Sequence, residues 1–257
     1  MSWGTLSFRS QILMRPMAFN FLLPDPWAAG PGPYPVLYLL HGYSDDHQAW
    51  LLQSRLLEYV AGLPLVVVMP DAEHSFYCDA YEGEPFERYL LEEVRGLVEK
   101  CFAVRKSGRR ARCVGGLSMG GFGAMKLGLR YPDLFASVGA HSSAMDVARH
   151  AGGDTPIMRD LRRLLGPARG DNPHRCDNDP FLLAQQVDRA QLPALYFDCG
   201  TEDQLLPSNR EFDRLLTKLD LPHVYQEYPG DHSWGYWDQH IQDSLAHHCR
   251  ALGIKRR

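Results

Sequence analysis

The chain is short of everything that would tie it to a membrane, a nucleic acid or a disulfide scaffold. No apolar run reaches the roughly 20 residues that a bilayer-spanning helix needs. The opening segment MSWGTLSFRSQILMRPMAFNF is broken by polar residues and carries no signal-peptide core. These two absences make a cytoplasmic protein the expectation. Basic charge is scarce as well: 27 Lys and Arg against 31 Asp and Glu leave a formal net charge of -4. The one basic cluster, Lys255-Arg256-Arg257, reads as a solvated terminus, so no field favours nucleic acid or an anionic membrane. Six cysteines (Cys78, Cys101, Cys113, Cys176, Cys199, Cys249) are scattered without a C-x-x-C pair. That spacing argues against a disulfide framework and for free thiols. His240 and His247-His248 do not combine with carboxylates at metal-ligand spacing. No phosphate loop or dinucleotide fingerprint appears. Neither a metal nor a cofactor is therefore expected.

What is present is a regular alternation. Leu6 and Phe8 share one face of a short segment, and Met17, Phe19, Phe21 and Leu23 share one face of the next. Both read as half-buried strands, paired as a hairpin at a sheet edge. Val36 to Leu40 and Leu65 to Met69 are continuous apolar runs, the pattern of parallel strands buried on both faces. Cys113 to Leu117, Ala136 to Ala140, Ala194 to Cys199 and Val224 to Tyr228 supply four more strands. Helical spacing falls between them: Phe86, Leu90, Val94, Leu97 and Cys101; Phe122, Met125 and Leu129; Phe212, Leu215, Leu216 and Leu219; Ile241, Leu245, Cys249 and Leu252. Ser208 with Glu211 reads as a capping box opening the third of these. The 257 residues suit one α/β domain, a mostly parallel sheet covered by helices on both faces. From about 143 to 192 the alternation stops. That stretch is rich in Asp, Arg, Gly and Pro, and reads as a polar, cap-like insertion over one end of the sheet.

Gly116-Leu117-Ser118-Met119-Gly120 matches G-x-S-x-G. Five residues alone could be a glycine-rich turn with an incidental serine. Here an apolar strand precedes them and a helical pattern follows, the strand–turn–helix setting in which such a serine is a strained, exposed nucleophile. In the α/β-hydrolase fold the order along the chain is Ser, Asp or Glu, then His. His232 sits in a loop after the last strand, whereas His141 and His150 come too early, and His240, His247 and His248 lie on the terminal helix. His232 is the expected base. Asp198, Glu202 and Asp203 all follow or end the preceding strand. Asp203, past the turn at Gly200, is best placed to reach the histidine. The backbone N–H groups of Met119 and of Tyr43, in the loop after Val36 to Leu40, are the expected oxyanion donors. Trp50, Phe76, Tyr77 and Trp234 are expected to wall a small pocket. The polar insertion offers no extended groove, so acyl chains of about two to four carbons are expected.

Together these motifs resemble the esterase family of tributyrin esterases, S-formylglutathione hydrolases and mycolyltransferases. The likeness runs through Thr5-Leu6-Ser7-Phe8, Leu39-Leu40-His41-Gly42 with Trp50, and Met69-Pro70-Asp71 with Ser75-Phe76-Tyr77. It continues through Gly115 to Gly121, Asp179-Pro180-Phe181, Cys199 to Asp203, and Gly230-Asp231-His232. The resemblance implies a triad of Ser118, Asp203 and His232, and an oxyanion hole at Tyr43 and Met119. It implies a serine carboxylesterase working through an acyl-enzyme, with acyl transfer to a sugar or alcohol and S-formylglutathione hydrolysis as alternatives. Ala72-Glu73-His74 stands where members often carry Gly-Gly, and Phe76 where Trp is common. The cysteine-bearing loop usual in S-formylglutathione hydrolases is missing. The expected partner is a small-molecule ester, and nothing in the sequence opposes a homo-oligomer.

Overall fold

A computed structural model describes residues 1–149, 154–167 and 172–255. Eight strands form one sheet in the order β1-β2-β4-β3-β5-β6-β7-β8. They are β1 (Ser2–Arg9), β2 (Pro16–Leu23), β3 (Val36–Leu40), β4 (Val66–Pro70), β5 (Arg112–Leu117), β6 (Ser137–His141), β7 (Ala194–Gly200) and β8 (His223–Tyr228). The first pair is the expected edge hairpin, with Leu6 opposite Phe19 and Phe8 opposite Met17. β2 also runs antiparallel to β4, and from β4 to β8 every pairing is parallel. The continuous apolar runs are the central strands, and their alternation divides two cores. Val36, Tyr38 and Leu40 pack on one face with Val66 and Val68. Leu37 and Leu39 pack on the other with Val67 and Met69.

On the first face lies a helix, α1, built from Phe86–Arg88, Tyr89–Val94 in π geometry and Arg95–Cys101. The wide π turn shifts the phase of its apolar stripe. Val98 continues the buried face and Cys101 is exposed, contrary to the straight helical reading. Helix α2 (Met119–Arg130) packs beside it, and its Phe122, Met125 and Leu127 are fully buried. On the second face, α6 (Trp234–Leu252) buries Trp237, Ile241, Leu245 and Leu252. Between β6 and β7 run α3 (Pro156–Leu165) and α4 (Pro180–Gln186), and between β7 and β8 runs α5 (Leu206–Lys218). The capping box at Ser208 is not formed. α5 opens two residues earlier, and Ser208 Oγ donates to Leu205 O at 3.0 Å instead. Of the insertion, His150 and Asp171 lie outside the described residues. The described part is less polar than its composition: α3 carries Arg159, Arg162 and Arg163 but turns Leu161, Leu164 and Leu165 inward. Thr155 caps it by accepting Met158 N–H, and Pro156 opens it.

Candidate active site

Four parallel strands deliver the candidate residues from their C-terminal ends, the edge at which open α/β sheets place ligands. β5 ends at Leu117, and the next residue, Ser118, has φ 52° and ψ -114° before α2 begins. A positive φ is costly for a residue with a Cβ, so surrounding contacts must hold it. Ser118 N–H donates to His141 O at 2.9 Å, and Ser118 O accepts Phe122 N–H at 3.0 Å. The flanking glycines are required by backbone crowding. A Cβ on Gly120 would stand 2.5 Å from Leu40 O, and one on Gly116 would stand 2.6 Å from the Gly120 backbone.

His232 follows β8 and Asp203 follows β7. Their loops are clipped together by Thr201 N–H to Tyr228 O at 2.8 Å and Glu202 N–H to Gly230 O at 2.9 Å. The resulting chain is short and linear in its logic. His232 Nε2 lies 3.0 Å from Ser118 Oγ, and His232 Nδ1 lies 2.8 Å from Asp203 Oδ2. Asp203 Oδ1 accepts Leu205 N–H at 2.8 Å, which fixes the carboxylate at the start of α5. Burial by itself would raise the Asp203 carboxyl. The bonds from His232 and Leu205 outweigh it, and the group is held below the usual carboxylate range. The ring of Trp237 meets the His232 imidazole edge-on at 4.9 Å.

The competing acids and the early histidine find other work. Glu202 is exposed. Asp198 is fully buried, and its Oδ2 lies 2.8 Å from His141 Nδ1 while its Oδ1 accepts Tyr236 O–H at 3.0 Å. His141 Nε2 in turn lies 2.9 Å from Ser244 Oγ. A second serine–histidine–aspartate chain thus ties β6, β7 and α6 together beneath the first.

The candidate oxyanion loop is organised by His41, which sequence reasoning noted only as part of a motif. His41 Nε2 accepts Ala72 N–H at 3.1 Å, so the ring proton is on Nδ1, which donates to Gly42 O at 2.8 Å. Burial pulls this imidazole below the ordinary histidine range and keeps it neutral. Gly42 O also accepts Asp45 N–H at 3.2 Å. A peptide's N–H points opposite its C=O, so holding the Gly42 carbonyl back turns the Tyr43 N–H away from His41. Met119 is the first residue of α2, and its N–H has no intrahelical acceptor.

A cleft of about 590 Å³ opens over Ser118 and His232. Tyr43, Met119, Phe76 and Trp234 line it. Trp50 and Tyr77 do not, which corrects the expected pocket wall. Trp50 is buried behind Trp234, edge-on at 5.1 Å, with its indole N–H given to Leu40 O at 3.1 Å. Tyr77 is buried under α2, its hydroxyl donating to His41 O at 3.1 Å. Both are large rings with a polar tip that finds a backbone carbonyl, so they support the strand ends. An apolar part of the remaining wall was missed: Val147, Ile157, Met158 and Leu161 come from the insertion, beside the polar Asp146 of the same stretch and Asp45 and Gln204. The apolar spacing of α3 behind Thr155-Pro156 was the available signal.

A parallel sheet carrying a strained serine, a histidine and a buried carboxylate in this chain defines a serine hydrolase of the α/β-hydrolase fold. Comparison with known proteins agrees. The family model described as "Putative esterase" matches residues 10–248, and the chain belongs to that family. An acetyl esterase of Caldicellulosiruptor saccharolyticus is 30% identical over 221 residues, covering 82% of this chain and 81% of that protein. An esterase of Mycobacterium tuberculosis is 31% identical over 239 residues, and the match covers 83% of this chain but only 52% of that protein. Among solved structures, an S-formylglutathione hydrolase of Staphylococcus aureus superposes with a TM-score of 0.80 at 26% identity, covering 96% of this chain and 98% of that one. The chain is a serine-dependent ester hydrolase.

Proposed function

We propose that the chain hydrolyses carboxylic esters of short acyl groups through an acyl-enzyme on Ser118. The observation that carries this reading is the unbroken chain from Ser118 Oγ through His232 to Asp203 at the floor of an open cleft. His232 Nε2 takes the hydroxyl proton as Ser118 attacks the ester carbonyl, and later returns it to the departing alcohol. Asp203 holds the imidazole in the right tautomer and stabilises the imidazolium. The N–H groups of Tyr43 and Met119 receive the developing oxyanion. Water, activated by the same histidine, then releases the acid. The likeness to an acetyl esterase supports a small acyl group, and the apolar wall from α3 gives it a dry seat. The described residues of the stretch 143–192 act as the cap that completes this wall.

Acyl transfer and thioester hydrolysis would use the same triad, with a different second nucleophile or leaving group. A cytoplasmic location is supported by six free thiols, and cell fractionation tests it. Self-association is tested by sedimentation. Ser118→Ala removes only the hydroxyl. It is expected to abolish p-nitrophenyl acetate hydrolysis and labelling by a fluorophosphonate while leaving the circular dichroism spectrum unchanged. Retained turnover in the pure variant would overturn the assignment.

A further inference from the structure

We propose that Asp160 on α3 is a positioning residue for the oxyanion hole, acting through the side chain of Tyr43. The inference rests on the reading of Tyr43 N–H as an oxyanion donor and asks what holds that donor in place. The peptide joining Gly42 to Tyr43 is gripped on its carbonyl side by His41 Nδ1 and Asp45 N–H. On its other side the grip is the Tyr43 ring. Tyr43 O–H donates to Asp160 Oδ2 at 2.5 Å, and the ring stacks on His74, centroids 4.1 Å apart and planes 17° apart. His74 Nδ1 lies 3.5 Å from the same Asp160 oxygen. One carboxylate therefore reaches both the Tyr43 hydroxyl and the ring stacked on Tyr43, while Phe76 adds a tilted ring contact at 6.0 Å.

The carboxylate comes from an unexpected place. Asp160 belongs to the helix whose Ile157, Met158 and Leu161 wall the cleft, more than a hundred residues along the chain from Tyr43. The bond thus joins the seat of the acyl wall to the alignment of an oxyanion donor. An ester that presses against Ile157 and Met158 would rest on the same helix that holds Tyr43. Asp160 itself does not line this cleft. Its side chain keeps 30% of its surface and faces a neighbouring groove, so it acts on the reaction only through Tyr43.

The test compares kcat/KM for p-nitrophenyl butyrate with the affinity for a boronic acid, which forms a tetrahedral adduct on the serine. Tyr43→Phe and Asp160→Ala each cut the bond. Both are expected to lower kcat about tenfold, less than the hundredfold or more that loss of an oxyanion donor costs. Boronic acid affinity is expected to fall in proportion, with KM nearly unchanged. Asp160→Asn keeps an acceptor oxygen and is expected to restore most of the rate. The double variant is expected to lose no more than either single one. A merely structural role would lower the melting temperature or raise KM without moving kcat and boronic acid affinity together, and that result would overturn the proposal. Replacing Tyr43 by p-hydroxyphenyllactic acid removes its N–H and keeps its ring. If that change is harmless, the oxyanion reading of Tyr43 fails. If it is damaging while Asp160→Ala is harmless, the oxyanion reading stands and only the positioning role fails.

Discussion

Asp203 and Asp198 each face a histidine Nδ1 at 2.8 Å, so exchanging either for asparagine asks which pair does chemistry. In Asp203→Asn the amide oxygen can keep the bond from Leu205 N–H. The amide nitrogen then faces His232 Nδ1 as a donor. That forces the ring proton onto Nε2, the atom that must accept the Ser118 proton. The base is therefore presented in the wrong tautomer, and the imidazolium loses its counter-charge. In the serine-protease template this costs about 10⁴ in kcat, or about 5.4 kcal/mol. The fold should barely change. Asp198→Asn behaves in the opposite way. His141 and Ser244 are sealed from solvent, and the amide leaves a buried hydrogen bond unmade, a loss of about 1–3 kcal/mol. For a domain of this size that lowers the melting temperature by roughly 2–12 °C. Below that temperature kcat should stay within about tenfold of the parent, since no reacting atom is touched. The assay is kcat for p-nitrophenyl butyrate at 15 °C beside thermal melts followed by circular dichroism. The reasoning is refuted if folded Asp198→Asn loses 10³ or more in kcat while Asp203→Asn keeps a tenth of its activity.

Three further outcomes are expected. Glu87 is buried against Lys126 Nζ at 2.6 Å; burial would raise its carboxyl, but Lys126 and Tyr131 overcome this and hold it below the usual range. Its contribution is complete above the unfolded value of about 4.3 and is lost as pH falls through the lower folded value. Glu87→Gln should therefore lower the melting temperature at pH 7 and flatten its decline between about pH 5 and 3, and an unchanged acid limb would count against the pair. Across p-nitrophenyl acetate, butyrate, octanoate and palmitate, kcat/KM should peak at about two to four carbons even though each buried methylene could add about 0.8 kcal/mol; a value still rising at octanoate rejects the short-acyl reading. Gly120→Ala should push the Leu40 and His41 carbonyls aside and lower kcat at least about a hundredfold through the displaced oxyanion loop, whereas a rate within threefold would show that the turn tolerates a Cβ.

The strand assignments were legible because burial on both faces leaves an unmistakable apolar run, and Val36 to Leu40 is buried on both. The turn that carries the candidate nucleophile was legible because its glycines answer a backbone constraint that no other residue meets. The acid and base could be ordered along the chain, since the fold orders them. What the sequence did not disclose depends on contacts between distant segments. Trp50 and Tyr77 read as pocket aromatics because nothing in a sequence tells a ring facing a cleft from one whose polar tip reaches a buried carbonyl. The apolar wall of α3 was hidden under composition. Its three arginines dominate a count of residues, whereas Ile157, Met158 and Leu161 emerge only when the helix is drawn with its faces. His41 and Asp160 act through Gly42 and Tyr43, and no local pattern marks a residue whose work is to hold another's backbone.

The two serine–histidine–aspartate chains show how little residue type alone determines. Their hydrogen bonds differ by no more than 0.1 Å at matching positions. Ser244, however, sits within α6, and its hydroxyl donates to Ile241 O at 3.1 Å. That carbonyl competes with His141 Nε2 for the hydroxyl proton, so the hydroxyl is not directed at one base. Nor does a mid-helix serine have free N–H groups beside it, because those of α6 are spent on the helix's own carbonyls. Ser118 stands at the opposite extreme. It precedes a helix, so the donors of the first turn are unspent, and its strained φ lifts the hydroxyl into the cleft. The inner chain locks α6 against β6 and β7, and α6 is the helix that follows directly from the His232 loop. The reactivity proposed for Ser118 thus rests on the backbone around it, while the same three side-chain types one layer down serve to hold that backbone still.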